Sequence, residues 1–352
     1  MQRILVIQNK RIGDVLIASV IAENIKKIFP ESTIEYLVYD YTTGVIQNNP
    51  FIDRIIAINA KELKKPRNLL KLSGEIKSNN YDIIFDPYAK LQSKIICLFS
   101  KAKKRIGLVK PNKKLPFRFY TDVVTNTQEK SHIAGRSIED RIQMIEQCFD
   151  STSIEFDYTP KIHLTQQELQ YSIPISNTKP IIMFGVLGST PQKSLPFSYI
   201  AKLIDYIVAN YVVNILFNYA PYQKKEALEI YELCQHKDAI LIDFYEESIR
   251  GFITLMEKCD ILISNEGGSV HIAKALDKPT FTIFSPYVSK EDWASFEDGI
   301  QHTSIHLKEE RPKLYDSKIS DKEIENDPQK MYHLLTPELI IPKLDTFLKK
   351  HC

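Results

Sequence analysis

Three short stretches combine residues that carry chemistry with glycines that let a ligand approach the backbone. The first is Arg11-Ile12-Gly13-Asp14, directly after the apolar run Ile4-Leu5-Val6-Ile7. Gly13 permits a tight turn, and Asp14 stands where a helix begins. Two readings stay open: Asp14 caps the helix, or it is a general base that takes a proton from an attacking hydroxyl. A helix N-terminus stabilises a carboxylate and lowers its basicity, which counts against the second. The next stretch is Ser264-Asn265-Glu266-Gly267-Gly268-Ser269-Val270-His271. A glycine pair opening a helix offers backbone N–H groups at the positive end of the dipole, which suits a diphosphate. The plainer reading makes Ser269 a cap and His271 a packed first-turn residue. A carboxylate at Glu266 would repel phosphate unless it holds sugar hydroxyls or orients His271. The third is Gly188-Ser189-Thr190-Pro191-Gln192-Lys193-Ser194-Leu195-Pro196, where Lys193 is either a solvated loop lysine or a contact for phosphate or ribose oxygens.

Basic residues gather in the first half: Lys61, Lys64, Lys65 and Arg67, then Lys101, Lys103, Lys104, Arg105, Lys110, Lys113, Lys114 and Arg118. They form either solvated loops or a surface for an acidic acceptor or anionic lipid headgroups.

The elements that must hold these stretches alternate strand and helix. Ile4–Ile7, Ile34–Val38, Ile55–Ile58, Ile83–Phe85 and Ile106–Val109 read as short buried strands. Val15, Ala18, Ile21, Ile25 and Ile28 follow helical spacing from Asp14 until Pro30, and 69–76, 91–99 and 138–149 read as further helices. Prolines and turn formers at 172–180 break the rhythm and mark a linker. It then resumes, with strands at 181–184, 213–217, 240–242, 261–263 and 280–284 and helices at 196–211, 223–234, 249–259 and 269–276. Segment 306–331 reads as irregular and 337–350 as a helical tail. The expected organisation is a domain over 1–172, a second over 173–330, and a tail over 331–352. Each domain is α/β and doubly wound on a parallel sheet, with a ligand cleft at the carboxyl ends of the strands. Asp14 and His271 are expected to face that cleft.

Composition narrows the classes. The 352 residues carry a formal net charge of +2, too mild to argue for nucleic acid. The five cysteines form no CxxC pair, which argues against a disulfide framework or zinc site and for a reducing compartment. Neither a signal peptide nor an apolar run of about 18 residues is evident, so a cytoplasmic protein able to touch a membrane surface is expected.

Taken in order, these stretches resemble glycosyltransferase family 9, the lipopolysaccharide heptosyltransferases. Ile4–Ile7 with Gly13-Asp14-Val15-Leu16 resembles the family's first strand and Gly-Asp turn, and Asn49-Pro50-Phe51-Ile52-Asp53-Arg54-Ile55 its "NPyvDev" segment. Asp260–Asn265 leading to Gly268–Leu276 is similar to "nDtGlsHlAaal", and Pro279 with Phe284-Ser285-Pro286 to the stretch that follows it. The resemblance implies a GT-B fold of two Rossmann-like domains and an inverting transfer, with neither a metal nor a cofactor beyond the nucleotide sugar. It implies Asp14 as catalytic base and Ser189, Lys193, Glu266, Gly267, Gly268 and His271 as donor-binding residues. It sets Lys61, Lys64, Arg67, Lys113 and Arg118 where a Kdo-bearing lipid A core binds. ADP-heptose is the implied donor, and peripheral contact with the cytoplasmic face of the inner membrane is expected.

The sequence also departs from the family. Glu266 stands for the usual Asp, Gly267 for Ser or Thr, and Leu195 for the tryptophan after the lysine. Phe217–Pro221 lacks the family's glycine, leaving Glu226 as a stand-in for ribose binding, and Asp86-Pro87-Tyr88-Ala89-Lys90 departs from "DlhGnlrs". Two competitors remain: another GT-B sugar-nucleotide enzyme, such as an epimerase, and a non-catalytic binding protein of the same fold.

Overall fold

The structure is a computed structural model that describes residues 1–110, 118–126, 132–175, 178–190, 193–316 and 328–352. The chain divides into two compact units. One comprises Met1–His163 with Glu291–Ser295, the other Leu164–Lys290 with Phe296–Cys352.

The first unit holds strands β1 (Arg3–Ile7), β2 (Thr33–Tyr39), β3 (Arg54–Ile58), β4 (Ile83–Asp86), β5 (Lys104–Val109) and β6 (Asp122–Thr125). They pair in parallel in the order β3-β2-β1-β4-β5-β6. Side chains alternate across β1. Leu5 and Ile7 pack with Leu69, Leu72 and Ile76 of α3 (Pro66–Ser78) and Ile96 of α4 (Leu91–Ser100). The other face is covered by α2 (Val20–Ile28) and α5 (Arg136–Glu146), which bury Ile21, Ile25, Ile138, Ile142 and Ile145. Strand order reverses between β1 and β4. In such sheets a ligand crevice lies at the carboxyl ends flanking that reversal. On β1, that end leads into α1 (Ile12–Ala18).

The second unit holds β7 (Ile181–Gly185), β8 (Asn214–Asn218), β9 (Ile261–Asn265), β10 (Thr280–Ile283) and β11 (His302–Ile305), ordered β11-β10-β9-β7-β8. All pairs are parallel, and the reversal falls between β7 and β9. The glycine-containing stretches 188–196 and 264–271 follow those two strands. Helices α6 (Gln166–Leu169), α7 (Phe197–Asn210), α8 (Lys224–Leu233), α9 (Ile249–Glu257) and α10 (Gly268–Ala275) complete the alternation.

Several expectations change. The division falls at 163/164, ahead of the linker expected at 172–180, and Glu291–Ser295 belongs with the first unit. Helix Pro337–His351 is part of the second unit's core rather than a tail, burying Ile340, Leu344, Phe347 and Leu348. Segment 306–331, expected to be irregular, contains helical turns at Leu307–Glu310 and Lys313–Asp316. The strand expected at 240–242 is reduced to one bridge between Ile215 and Ile240. Its backbone turns back on itself there, since Ile242 N–H donates to Ile240 O and Phe244 N–H to Leu241 O.

Candidate functional site

Asp14 does not cap α1. The cap is Arg11, in extended backbone and without a side-chain cap bond, and Asp14 is the third residue of the helix. Its side chain is only 6% exposed, and Lys10 Nζ donates to Oδ1 at 2.7 Å. The Lys10 ammonium lies 5.6 Å from the ring centres of both Tyr88 and Trp293. The buried Arg141 guanidinium is held down mainly by desolvation, with the charges of Asp14 and Asp140 opposing. A carboxylate placed this way, at the carboxyl end of β1 beside the strand-order reversal, can serve as a base.

The loop after β4 faces the same reversal. Tyr88 N–H and Ala89 N–H donate to Asp86 Oδ1 at 3.2 and 2.8 Å, and the Tyr120 hydroxyl donates to Oδ2 at 2.6 Å. Burial pushes the Asp86 carboxyl up, and these donors pull it back. Asp86 therefore fixes the loop that presents Tyr88.

In the second unit Lys193 is not a solvated loop lysine. Its ammonium donates to Glu266 Oε1 at 2.8 Å and lies 5.7 Å from the Tyr287 ring centre. Ser285 N–H donates to Glu266 Oε2 at 2.9 Å. Burial pushes the Glu266 carboxyl above the usual range, with the Lys193 ammonium and the Ser285 amide opposing. Both oxygens of Glu266 are thus committed to the lysine and to the end of β10, which answers the repulsion expected beside a phosphate.

Gly188 is required by a close approach. A Cβ there would lie 2.0 Å from Lys193 O. Ser194 Oγ accepts from Gly188 N–H at 2.9 Å, and Gln223 Nε2 donates to Gly188 O at 2.8 Å. Helix α10 opens with Gly267 as cap and Gly268 as first residue, not with Ser269 as cap. Its first-turn N–H groups have no intrahelical acceptor. Gly267 has extended backbone with open space where a Cβ would stand, so the Ser or Thr usual in the resembled family would fit. His271 is the half-buried fourth residue of α10.

Beside this lies a cavity of about 460 Å³ lined by Leu187, Ser189, Leu195, Tyr222, Glu226 and Tyr332, among others. That volume suits a nucleoside-sized ligand. Among the described residues, the buried Glu226 Oε2 has no hydrogen-bond partner. Leu195, where the resembled family has tryptophan, is part of this lining.

The sequence profile of glycosyltransferase family 9 (heptosyltransferase) matches residues 69–322. The chain belongs to glycosyltransferase family 9. It is a glycosyltransferase that uses a nucleotide sugar. It is 25% identical over 291 residues to lipopolysaccharide heptosyltransferase 1 of Campylobacter coli, covering 80% of this chain and 83% of that one. Its fold is that of the ADP-heptose lipopolysaccharide heptosyltransferase II of E. coli, with a TM-score of 0.70 at 16% identity over 99% of this chain and 98% of that one. An E. coli heptosyltransferase solved with ADP-2-deoxy-2-fluoro heptose superposes with a TM-score of 0.68 at 14% identity, covering 92% and 98%. Both units are therefore of GT-B type.

Within this family member the predicted donor residues fall around the β7–β9 reversal, with Lys193 and Glu266 in direct contact and Ser189 in the cavity wall. The profile match begins after Asp14, so the reading of Asp14 as a base rests on its own geometry and the sequence resemblance. Lys61, Lys64, Arg67 and Arg118 are exposed, and Lys113 lies outside the described residues. Residues that border these sites without having been foreseen include Lys10, Arg141, Trp293, Tyr287 and Tyr332. Trp293 is the chain's single tryptophan, which was a signal; its distance in sequence from Asp14 hid its relevance.

Proposed function

We propose that the enzyme transfers heptose from ADP-heptose to a lipopolysaccharide or lipooligosaccharide core acceptor, by inversion and without a metal. The observation that carries this is the Lys193–Glu266 pair beside the 460 Å³ cavity at the β7–β9 reversal. An ammonium has three donors. One goes to Glu266, and the others are left for diphosphate oxygens, together with the first-turn amides of α10. Glu226 supplies the acceptor oxygen for ribose hydroxyls within the cavity. The names of the relatives support the donor and acceptor: one is an ADP-heptose enzyme, another a lipopolysaccharide heptosyltransferase.

In the transfer, the acceptor hydroxyl oxygen attacks the anomeric carbon while Asp14 takes its proton. The bond from that carbon to the diphosphate oxygen breaks, and ADP leaves with the electron pair. Lys193 and the α10 amides stabilise the charge that develops on the leaving group. The exposed basic residues Lys61, Lys64, Arg67 and Arg118 receive the acidic, lipid-linked acceptor at the cytoplasmic face of the inner membrane. No helix among the described residues is long and apolar enough to cross a membrane.

Asp14→Asn tests the base. Asn retains size and polarity but cannot accept the proton. Turnover per folded molecule with ADP-heptose and a Kdo-type acceptor is expected to fall about 10²–10⁴-fold, with donor affinity retained and the melting temperature lowered by loss of the ion pair to Lys10. Near-normal turnover would remove Asp14 from the reaction. Product anomeric configuration by NMR tests inversion, and activity surviving excess EDTA tests metal independence.

A further inference from the structure

Lys10 is held from several sides. Asp14 Oδ1 accepts from its ammonium at 2.7 Å, and the rings of Tyr88 and Trp293 lie 5.6 Å from it. Its backbone is also pinned: Lys10 N–H donates to Gln8 O at 2.9 Å, and the Tyr41 hydroxyl donates to Lys10 O at 3.3 Å. A lysine tethered only by a solvated ion pair would keep most of its rotamer freedom. This one is confined by a carboxylate and two aromatic faces, and cation–π attraction adds to the ion pair.

The two rings are themselves fixed. Tyr88 rides on the turn tied to Asp86. Trp293 belongs to Glu291–Ser295, which joins the first unit through Arg136. That guanidinium donates to Asp292 Oδ1 at 2.8 Å and to Glu291 Oε2 at 2.9 Å. Gly135, at φ +84°, lets this segment come close, since a Cβ there would lie 3.2 Å from Ala294 O.

We propose that Lys10, seated between Tyr88 and Trp293, is a positioning residue for transfer: it holds Asp14 by Oδ1 and so presents Oδ2 to the acceptor hydroxyl. The assignment rests on the reading of Asp14 as the base. Lys10 keeps its own proton throughout; the transferred proton goes from the hydroxyl to Asp14. Arg141, the other cation interacting with Asp14, lies buried on α5 and supplies charge without this steering.

The test compares Lys10→Met, Lys10→Arg and Trp293→Leu with the wild-type enzyme, using ADP-heptose and a Kdo-type acceptor. Misplacing a catalytic group by about 1 Å can cost about 10²-fold. Lys10→Met is therefore expected to lower kcat by roughly 10- to 100-fold, with the donor KM changed less than about twofold. Lys10→Arg restores most of the loss because a cation again reaches the carboxylate. Trp293→Leu loses kcat in the same direction, which keeps the test open if Lys10→Met folds poorly. A purely structural lysine would lower melting temperature and leave kcat per folded molecule unchanged, and that result overturns the proposal. Asp14→Asn run alongside separates the failures. If it is inactive while Lys10→Met turns over normally, positioning alone is wrong. If Asp14→Asn itself turns over normally, the base falls and the positioning falls with it.

Discussion

Lys193 and Glu266 are two halves of one device, and their variants should reveal it. Removing Lys193 leaves a buried carboxyl that still accepts from the Ser285 amide but has lost its cation. Lys193→Met should therefore cost stability as well as donor affinity, about 1.5–3 kcal/mol for the charge-assisted contact. This differs from the behaviour expected of a loop lysine, whose loss is silent for the fold. Adding Glu266→Gln removes the stranded charge, so the double variant should melt above Lys193→Met while donor binding stays weak. Urea denaturation and calorimetry with ADP check both halves. Additive stability losses would mean that the pair is not coupled. The types of these residues were legible in the sequence, but their contact was not. They are separated by 73 positions, and only the return of β9 beside β7 brings them together.

At the scale of elements, the loop from β4 to α4 holds a conformation its sequence does not favour. Ala89 sits at φ +48°, in the left-handed region, at the position of glycine in the family pattern "DlhGnlrs". The conformation costs an L-residue about 1–2 kcal/mol, partly offset by the extra freedom a glycine would lose on folding. Ala89→Gly should raise stability by about 0.5–1 kcal/mol and the melting temperature by about 1–4 °C. An unchanged or lower value would show that the turn carries no strain. A second element-scale contact joins α6 to α9. Arg250 donates to both carboxylate oxygens of Glu168, through Nε to Oε1 and at 2.7 Å to Oε2, and holds that carboxyl down at about 2. The unfolded chain binds this proton near pH 4.3. Stability from the pair is thus complete above that pH and is lost as pH falls toward 2, where the folded form also protonates. Solvent screening reduces it to on the order of 1 kcal/mol. The gap in urea midpoint between wild type and Arg250→Gln should be full at pH 6, partly reduced at pH 3 and nearly closed at about pH 2. A gap independent of pH would exclude the ion pair as its source. Element legibility followed hydrophobicity. Strands β1, β7 and β9 are continuous apolar runs and could be read. β11 could not, because His302, Thr303 and Ser304 are buried polar residues. The cap of α1 lies three residues ahead of the one its sequence suggests, since Asp14 has the type of a cap but pairs with Lys10 inside the first turn.

For the whole molecule, the alternation of strand and helix was enough to give two doubly wound sheets. The division was harder to read, because Glu291–Ser295 leaves the second half of the sequence to join the first unit, and no local pattern marks such an exchange. The cavity bearing Glu226 lies within the second unit, so a nucleotide bound there stabilises that unit by mass action. At a concentration about 100 times the dissociation constant the gain is about 2.7 kcal/mol. For a unit of 150–250 residues that moves the transition by roughly 5–10 °C. ADP should give this shift, and UDP and GDP less, if the cavity is built for an adenine nucleotide. Glu226→Ala should shrink it, because the ribose hydroxyls lose their acceptor while the apolar wall of Leu187 and Leu195 is untouched. Scanning calorimetry with each nucleotide at millimolar concentration gives the comparison directly. Equal shifts from all three would leave the base unselected and the choice of ADP-heptose without support. No shift from any of them would mean that the cavity is not the nucleotide site, and Glu226 would then have to be explained as an ordinary half-buried carboxylate.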